Sequence, residues 1–247
     1  MALTAGLKGL WHMNNVWTDA SGNGNNGTAT GATFTTSSKL GSHAGSFDGI
    51  DDGVQIANEA NFDFEYNQPF AIAGWVYPTS TTGYGTIFMK QLYEVSPGAR
   101  KGPTLMRDSG GLQLRFHIFS TQTTYLDVLT TNDVLTLNAW NHIVMNYNGN
   151  GLASGVTLYV NNVLIISITV LKDNLGTGTI LNNTSPNLGR NFYNVSYNQF
   201  WTGWMDEFGV WNRVLTANEI SELYNGGAGI EAINTLRLRR MRCANDY

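Results

Sequence analysis

Charge is what this chain has least of. Asp, Glu, Lys and Arg make up 13% of its 247 residues, about half the share of an ordinary soluble domain. That deficit excludes a coiled coil or other long-helix protein, which would be rich in Ala, Glu, Lys, Leu and Arg. Cysteine is nearly missing as well. One Cys, Cys243, excludes an intrachain disulfide framework. There is no run of eighteen apolar residues, so no membrane-spanning helix is expected. The opening segment MALTAGLKGLWHMNN lacks the apolar core and cleavage site of a signal peptide. Catalytic signatures are scarce too. No Gly-x-Ser-x-Gly elbow or phosphate loop occurs, and His12, His43, His117 and His142 show no zinc spacing.

Small polar residues replace the missing charge: 28 Asn stand beside 28 Gly. With 42% hydrophobic and 12% aromatic residues, the chain can bury a sizeable core and is not wholly disordered. Asn, Gly, Thr and aromatics are the residues of strands joined by tight turns. An all-β protein is expected, and the length suits one large sandwich or barrel. The formal charge of −4 is uneven. Residues 1–234 carry 10 basic and 17 acidic side chains, whereas residues 235–247 carry four arginines and one aspartate. An acidic body repels nucleic acid at long range. The basic end is either an anion-docking tail or a frayed terminus.

Period-2 alternation recurs at short intervals. In Leu112–Ile118, Leu112, Leu114, Phe116 and Ile118 share one face, while Gln113, Arg115 and His117 share the other. Further strands are expected at Gly9–Met13, Ala44–Asp48, Gly53–Ile56, Phe70–Tyr77, Gly85–Lys90, Asn141–Tyr147, Val156–Val160, Val163–Thr169, Asn187–Gly189 and Gly203–Trp211. Asn161-Asn162 reads as a two-residue hairpin turn, because Asn tolerates positive φ. One helix is well signalled. Thr216 and Glu219 form a capping box, Ile220, Leu223 and Tyr224 an apolar stripe, and Asn225-Gly226-Gly227 a left-handed stop.

Several segments then fall in a familiar order: Leu10-Trp11, the loop Asp19–Gly27, Ser46–Val54, Phe70–Val76, Trp140–Val144, Leu158–Asn161 and Met205–Arg213 with its capped helix. Together they resemble the laminin-G-like members of the concanavalin A-like lectin/glucanase superfamily. The resemblance spans roughly residues 9–227. It implies an antiparallel jelly-roll β-sandwich with one short C-terminal helix, over residues 1–229, followed by a basic tail at 230–247. The match departs from the family between Tyr84 and Arg107 and between Leu181 and Trp201, which read as enlarged loops.

The resemblance also implies a structural calcium ion at the first loop, held by Asp19, Asn23, Gly24 and Gly27, with Asp206 reaching in from the distant strand. Calcium wants six to eight oxygens, which a Gly/Asn-rich turn with carboxylates supplies. The alternative is an ordinary Asx turn at Asp19. Asp48, Asp51 and Asp52 crowd one hairpin and read as an exposed acidic turn, with a second cation site as the alternative. Asp206 and Glu207 are adjacent on a strand, so alternation points them to opposite faces. The Glu-x-Asp-x-x-Glu strand of retaining glycosidases in the superfamily, with carboxylates about 5 Å apart, does not occur here. No enzyme activity is expected.

Sugar recognition stacks ring faces on aromatics and bonds hydroxyls to polar side chains. Tyr84, Tyr93, Tyr193, Tyr197 and Trp201 lie in or beside the enlarged loops, and Arg115 and His117 project from a polar strand face. These seven are the candidate ligand-binding residues. Trp11, Trp75, Trp140, Trp204 and Trp211 sit in family strand motifs and are expected in the core. The expected function is a non-catalytic recognition or adhesion module, calcium-stabilised and glycan-binding. The second reading is a virion structural protein, such as a bacteriophage decoration or fibre component. Its partners would be neighbouring subunits in an oligomer or larger assembly, since loop aromatics equally suit protein interfaces. Either reading places the chain outside cells or on a virus particle, without membrane insertion.

Overall fold

The computed structural model of the chain describes residues 2–93, 100–192 and 198–232. Two antiparallel sheets face each other, their strands numbered in chain order. The first runs β14 (Val163–Leu164), β13 (Val156–Val160), β12 (Asn141–Tyr147), β6 (Phe70–Pro78), β19 (Thr202–Trp211), β4 (Ala44–Asp48) and β3 (Thr33–Thr35), with β1 (Leu7–Trp11) also on β19. The second runs β15 (Ile168–Asn174), β11 (Tyr125–Thr130), β10 (Leu114–Phe119), β9 (Arg100–Arg107), β7 (Gly85–Met89), β16 (Asn187–Leu188), β5 (Gly53–Ile56) and β2 (Gly27–Thr30), with β8 (Leu92–Tyr93) beside β9. β17 (Arg190–Phe192) and β18 (Asn198–Phe200) form a separate hairpin.

Inward-facing residues of both sheets make one core, in which Phe70 of β6 meets Phe116 of β10 and Phe88 of β7 meets Phe208 of β19. A second cluster lies on the outer face of the first sheet. There α1 (Ala217–Tyr224) buries Ile220 and Leu223 against Leu10, Ala73, Val144 and Trp211. The helix forms as its sequence requires. The Thr216 hydroxyl accepts from the Glu219 amide, Glu219 accepts from the Thr216 amide, and Asn225 closes the end at φ 47°. Asn161 and Asn162, at φ 50° and 67°, make the expected hairpin turn.

Three expectations change. The segment Tyr84–Arg107 is not wholly an enlarged loop, because β9 is an interior strand pairing β10 and β7. Gly102, at φ 102°, and Pro103 hide it from a propensity reading. Val163–Thr169 is split between the two sheets, β14 forming an edge of one and β15 an edge of the other. Finally, Asp206 and Glu207 do not alternate across β19. Register with β6 shifts between Asp206 and Gly209, and Glu207 adopts φ 49°, so Met205 and Phe208 both enter the main core. This is a β-bulge with a strained non-glycine residue.

Candidate functional site

The outer face of the first sheet carries a row of side chains on four strands and on the residue that leads into a fifth. Trp204 of β19 pairs Tyr77 of β6 on one side and Ser46 of β4 on the other, and Ser46 pairs Thr33 of β3. Trp140 immediately precedes β12, whose Asn141 pairs Val76. Alternation sets the direction: Met205 and Val76 point into the core, so Trp204 and Tyr77 point out. Tyr77 stacks on Trp204 at 4.3 Å between ring centres, and Trp140 meets Tyr77 edge-on at 5.5 Å. All three rings are half-buried. The assignment of Trp140 and Trp204 to the core is therefore corrected; inward-pointing Met205, one residue on, was the signal that Trp204 faces out. With strands about 4.8 Å apart, the row from Trp140 to Thr33 spans about 19 Å.

One step along the strands the same face closes over. Asp206, Trp75 and His142 form the next row. Lys39 lies 4.3 Å over the Trp75 ring, and Tyr224 of α1 stacks on Trp75 at 5.9 Å. His142 is buried, and burial followed by the charge of Lys39 pushes its pKa down to about 3. The aromatic row is thus flanked along one side by a row that Lys39 and Tyr224 cover.

The outer face of the second sheet holds several expected ligand residues, differently from expectation. Arg115 gives Nε and Nη2 to Asp127 at 2.9 and 2.6 Å and Nη1 to Asp108 at 3.1 Å. These bonds hold the guanidinium protonated and leave it two of its five N–H donors. His117 sits between Thr104 and Asp127 and is buried, its Nδ1 without a partner among the described residues. Burial, then Arg100, then Arg115 push its pKa well below 6.5. It is a neutral interior group and not a surface hydroxyl partner. Arg100 covers Phe119 at 3.5 Å, and Phe119 stacks on Tyr125 at 4.4 Å. Arg100, Asp127 and Tyr125 come together by strand register, which local sequence did not reveal.

The remaining expected residues scatter. Tyr93 pairs Arg100 at one end of β9, while Tyr84 precedes β7 where Gly85 pairs Arg107 at the other end. Trp201 is fully buried in the main core, which removes it from any ligand surface. Tyr193 and Tyr197 lie outside the described residues, as does residues 233–247 of the basic tail.

The first loop does not offer calcium a ready ligand set. Both Asp19 carboxylate oxygens already accept hydrogen bonds, Oδ1 from the Leu10 and Ser21 amides and Oδ2 from the Ser21 hydroxyl and the Asn25 amide. The Asn23 side chain donates to the Leu7 and Lys8 carbonyls, and the Gly24 carbonyl accepts from Asn58. Gly27 is taken up in β2. Asp206 accepts instead from the Lys39 and Leu40 amides. The Asp19 bond to Ser21 is the Asx turn, so the loop is cross-linked by amide donors, and a cation would have to displace them. Asp48 likewise bonds the amides of its own turn, and Asp52 bonds the Asp48 amide.

The sequence matches the family described as the concanavalin A-like lectin/glucanases superfamily over residues 47–221. No curated protein matches. Among solved structures, domain 4 of AbnA, a GH43 extracellular arabinanase from Geobacillus stearothermophilus solved with arabinotriose, is similar at TM-score 0.63 and 19% identity. That match covers 92% of this chain and 99% of the other. The binding domain of Paraclostridial Mosquitocidal Protein 1 is similar at TM-score 0.66 and 20% identity, covering 91% of this chain and 53% of that one. The binding domain of botulinum neurotoxin DC in complex with SialylT follows at TM-score 0.61 and 15% identity, covering 91% and 52%. The chain spans about half the length of these two toxin binding domains.

Proposed function

The chain belongs to the concanavalin A-like lectin/glucanases superfamily, and from that premise we propose that it is a non-catalytic recognition module whose ligand is a glycan. The observation that carries the reading is the row Trp140–Tyr77–Trp204–Ser46–Thr33 on the outer face of the first sheet. Three half-buried rings in mutual contact offer faces on which the C–H surface of a sugar stacks. Ser46 and Thr33 continue the line with hydroxyls that donate to and accept from sugar hydroxyls. A row of about 19 Å suits an oligosaccharide better than a monosaccharide. The arabinanase domain solved with arabinotriose and the toxin domain solved with SialylT support this class of ligand. No bond-breaking step is assigned, since Asp206 is bonded to backbone amides and Asp127 to Arg115.

A glycan array followed by calorimetry on the best hit tests the reading. Trp204→Ala and Tyr77→Ala should each weaken binding by about tenfold or more, as anchors at a recognition surface do. Tyr125→Ala, on the other sheet, should leave it unchanged. A blank array, or a hit insensitive to both row variants, would overturn the assignment.

A second reading, a structural subunit of an assembled particle, is favoured by one different observation. Val163, Leu164, Ile166, Val170 and Leu171 are exposed along the edges of both sheets. Self-association in solution, with no glycan bound, would favour it.

A further inference from the structure

The bulge in β19 places a set of side chains that neither the glycan reading nor the first loop uses. β4 pairs β19 up to Met205 and β1 resumes at Phe208, so Asp206 and Glu207 fall in the gap between two neighbouring strands. There the Glu207 carboxylate meets His12, which follows β1: Nδ1 is 2.8 Å from both Oε1 and Oε2. Glu231, beyond α1, completes the group. One ligand atom from each of His12, Glu207 and Glu231 lies within 4.8 Å of the others. Three chain segments far apart in sequence thus converge.

The chemistry of this set is that of a metal site. A tetrahedral ion with bonds of 2.0–2.2 Å spaces its ligand atoms by about 3.4 Å, so small side-chain movements would seat it. An imidazole nitrogen with two carboxylates suits a divalent transition ion, whereas calcium and magnesium take oxygen. The Glu207 side chain is 4% exposed, which spares the site competition from bulk water. A second observation comes from the interior. Glu207 also lines a cavity of about 10 Å³, together with His142, Trp75, Ile230 and Ala232. That is about the space of one water molecule. His142 is 2% exposed, and its Nδ1 has no partner among the described residues. Of the three ligands only Glu207 lines that cavity, so a water there would reach the ion from the Glu207 side.

We propose that His12, Glu207 and Glu231 bind one divalent transition metal ion, represented by zinc, with a water in the adjoining cavity. The ion ties the segment after α1 to the bulge of β19 and to the end of β1. It is independent of the glycan reading, because no residue of the aromatic row belongs to the trio or lines the cavity.

The test uses the tag-free full chain carrying Cys243→Ser, so that the thiol takes no zinc, after treatment with chelator. Zinc should bind at one ion per chain and raise the melting temperature, and calcium should do neither. Cobalt should give the visible absorption of a four-coordinate site. Glu231→Gln and His12→Gln should each weaken zinc binding by at least about tenfold, while His43→Gln, at a half-exposed histidine elsewhere, should not. Melting of the metal-free variants confirms that they fold, and Glu231, partly exposed near the end of the described chain, is the safer of the two. Absence of zinc binding in the parent chain would overturn the proposal, and so would a zinc affinity in both ligand variants equal to that of the parent.

Discussion

At the scale of the residue, buried polar groups are defined by what surrounds them, and two make measurable statements. Asp19 receives four hydrogen bonds from Leu10, Ser21 and Asn25, so its carboxylate is the knot of the first loop. Asp19→Ala would leave buried amides unpaired and should cost about 2–4 kcal/mol of unfolding free energy, read by denaturant melts. Because the same oxygens are already engaged, calcium added to chelator-treated protein should leave the melting temperature where it was. A calcium-dependent rise would show that the loop rearranges around an ion. His117 makes a statement about pH. Folded, it stays neutral, because burial, Arg100 and Arg115 all disfavour its proton; unfolded, it titrates near 6.5. Below that value the unfolded chain binds a proton that the folded chain refuses. Stability from this group is therefore fully present above pH 6.5 and is lost as pH falls, by about 1.4 kcal/mol per pH unit. His117→Gln should flatten the acid side of a stability–pH curve; parallel curves for the two proteins would contradict this.

At the scale of the element, local pattern and long-range register divide the structure between them. The capped helix, the Asn161-Asn162 turn and the inward face of β10 were legible because each is decided within a few residues, by a side chain reaching its own backbone or by alternation. β9 was not legible, since Gly102 and Pro103 are poor strand residues that tertiary pairing with β7 and β10 overrides. The bulge at Asp206-Glu207 is hidden for the opposite reason: a period-2 pattern runs up to a point where the chain breaks it. The candidate site inherits this division. Trp204 and Tyr77 become neighbours only through the pairing of β19 with β6, and His12, Glu207 and Glu231 only through a strand gap. Arg115 and His117 were correctly placed on the polar face of β10. Their partners Asp127 and Arg100 sit on other strands, so neither the closed ion pair nor the burial could be read from the strand itself.

At the scale of the whole molecule, one flank of the sandwich is unlike the rest. Edge strands are normally blunted by charge, proline or a covering element, because their free amides and carbonyls template pairing with another chain. Here β14 ends one sheet and β15 ends the other, so the short stretch from Val163 to Leu171 closes the same flank of both. Ile165 and Ile168 turn in to the core, but Ile166 is 88% and Val163 62% exposed, with Leu164, Val170 and Leu171 exposed beside them. The charges of β15 do not protect it. Lys172 lies 5.7 Å over the Tyr125 ring, and Asp173 accepts the Ala153 amide at 2.8 Å. An antiparallel edge is its own complement under a twofold axis, so a second copy fits it without any further feature. Light scattering should then show a mass that rises with concentration. Val170→Lys with Ile166→Asp, both on exposed positions, should return the chain to a monomer at an unchanged melting temperature, because neither side chain contributes to the core. A parent chain that stays monomeric at high concentration would contradict this pairing, and the subunit reading would lose its support.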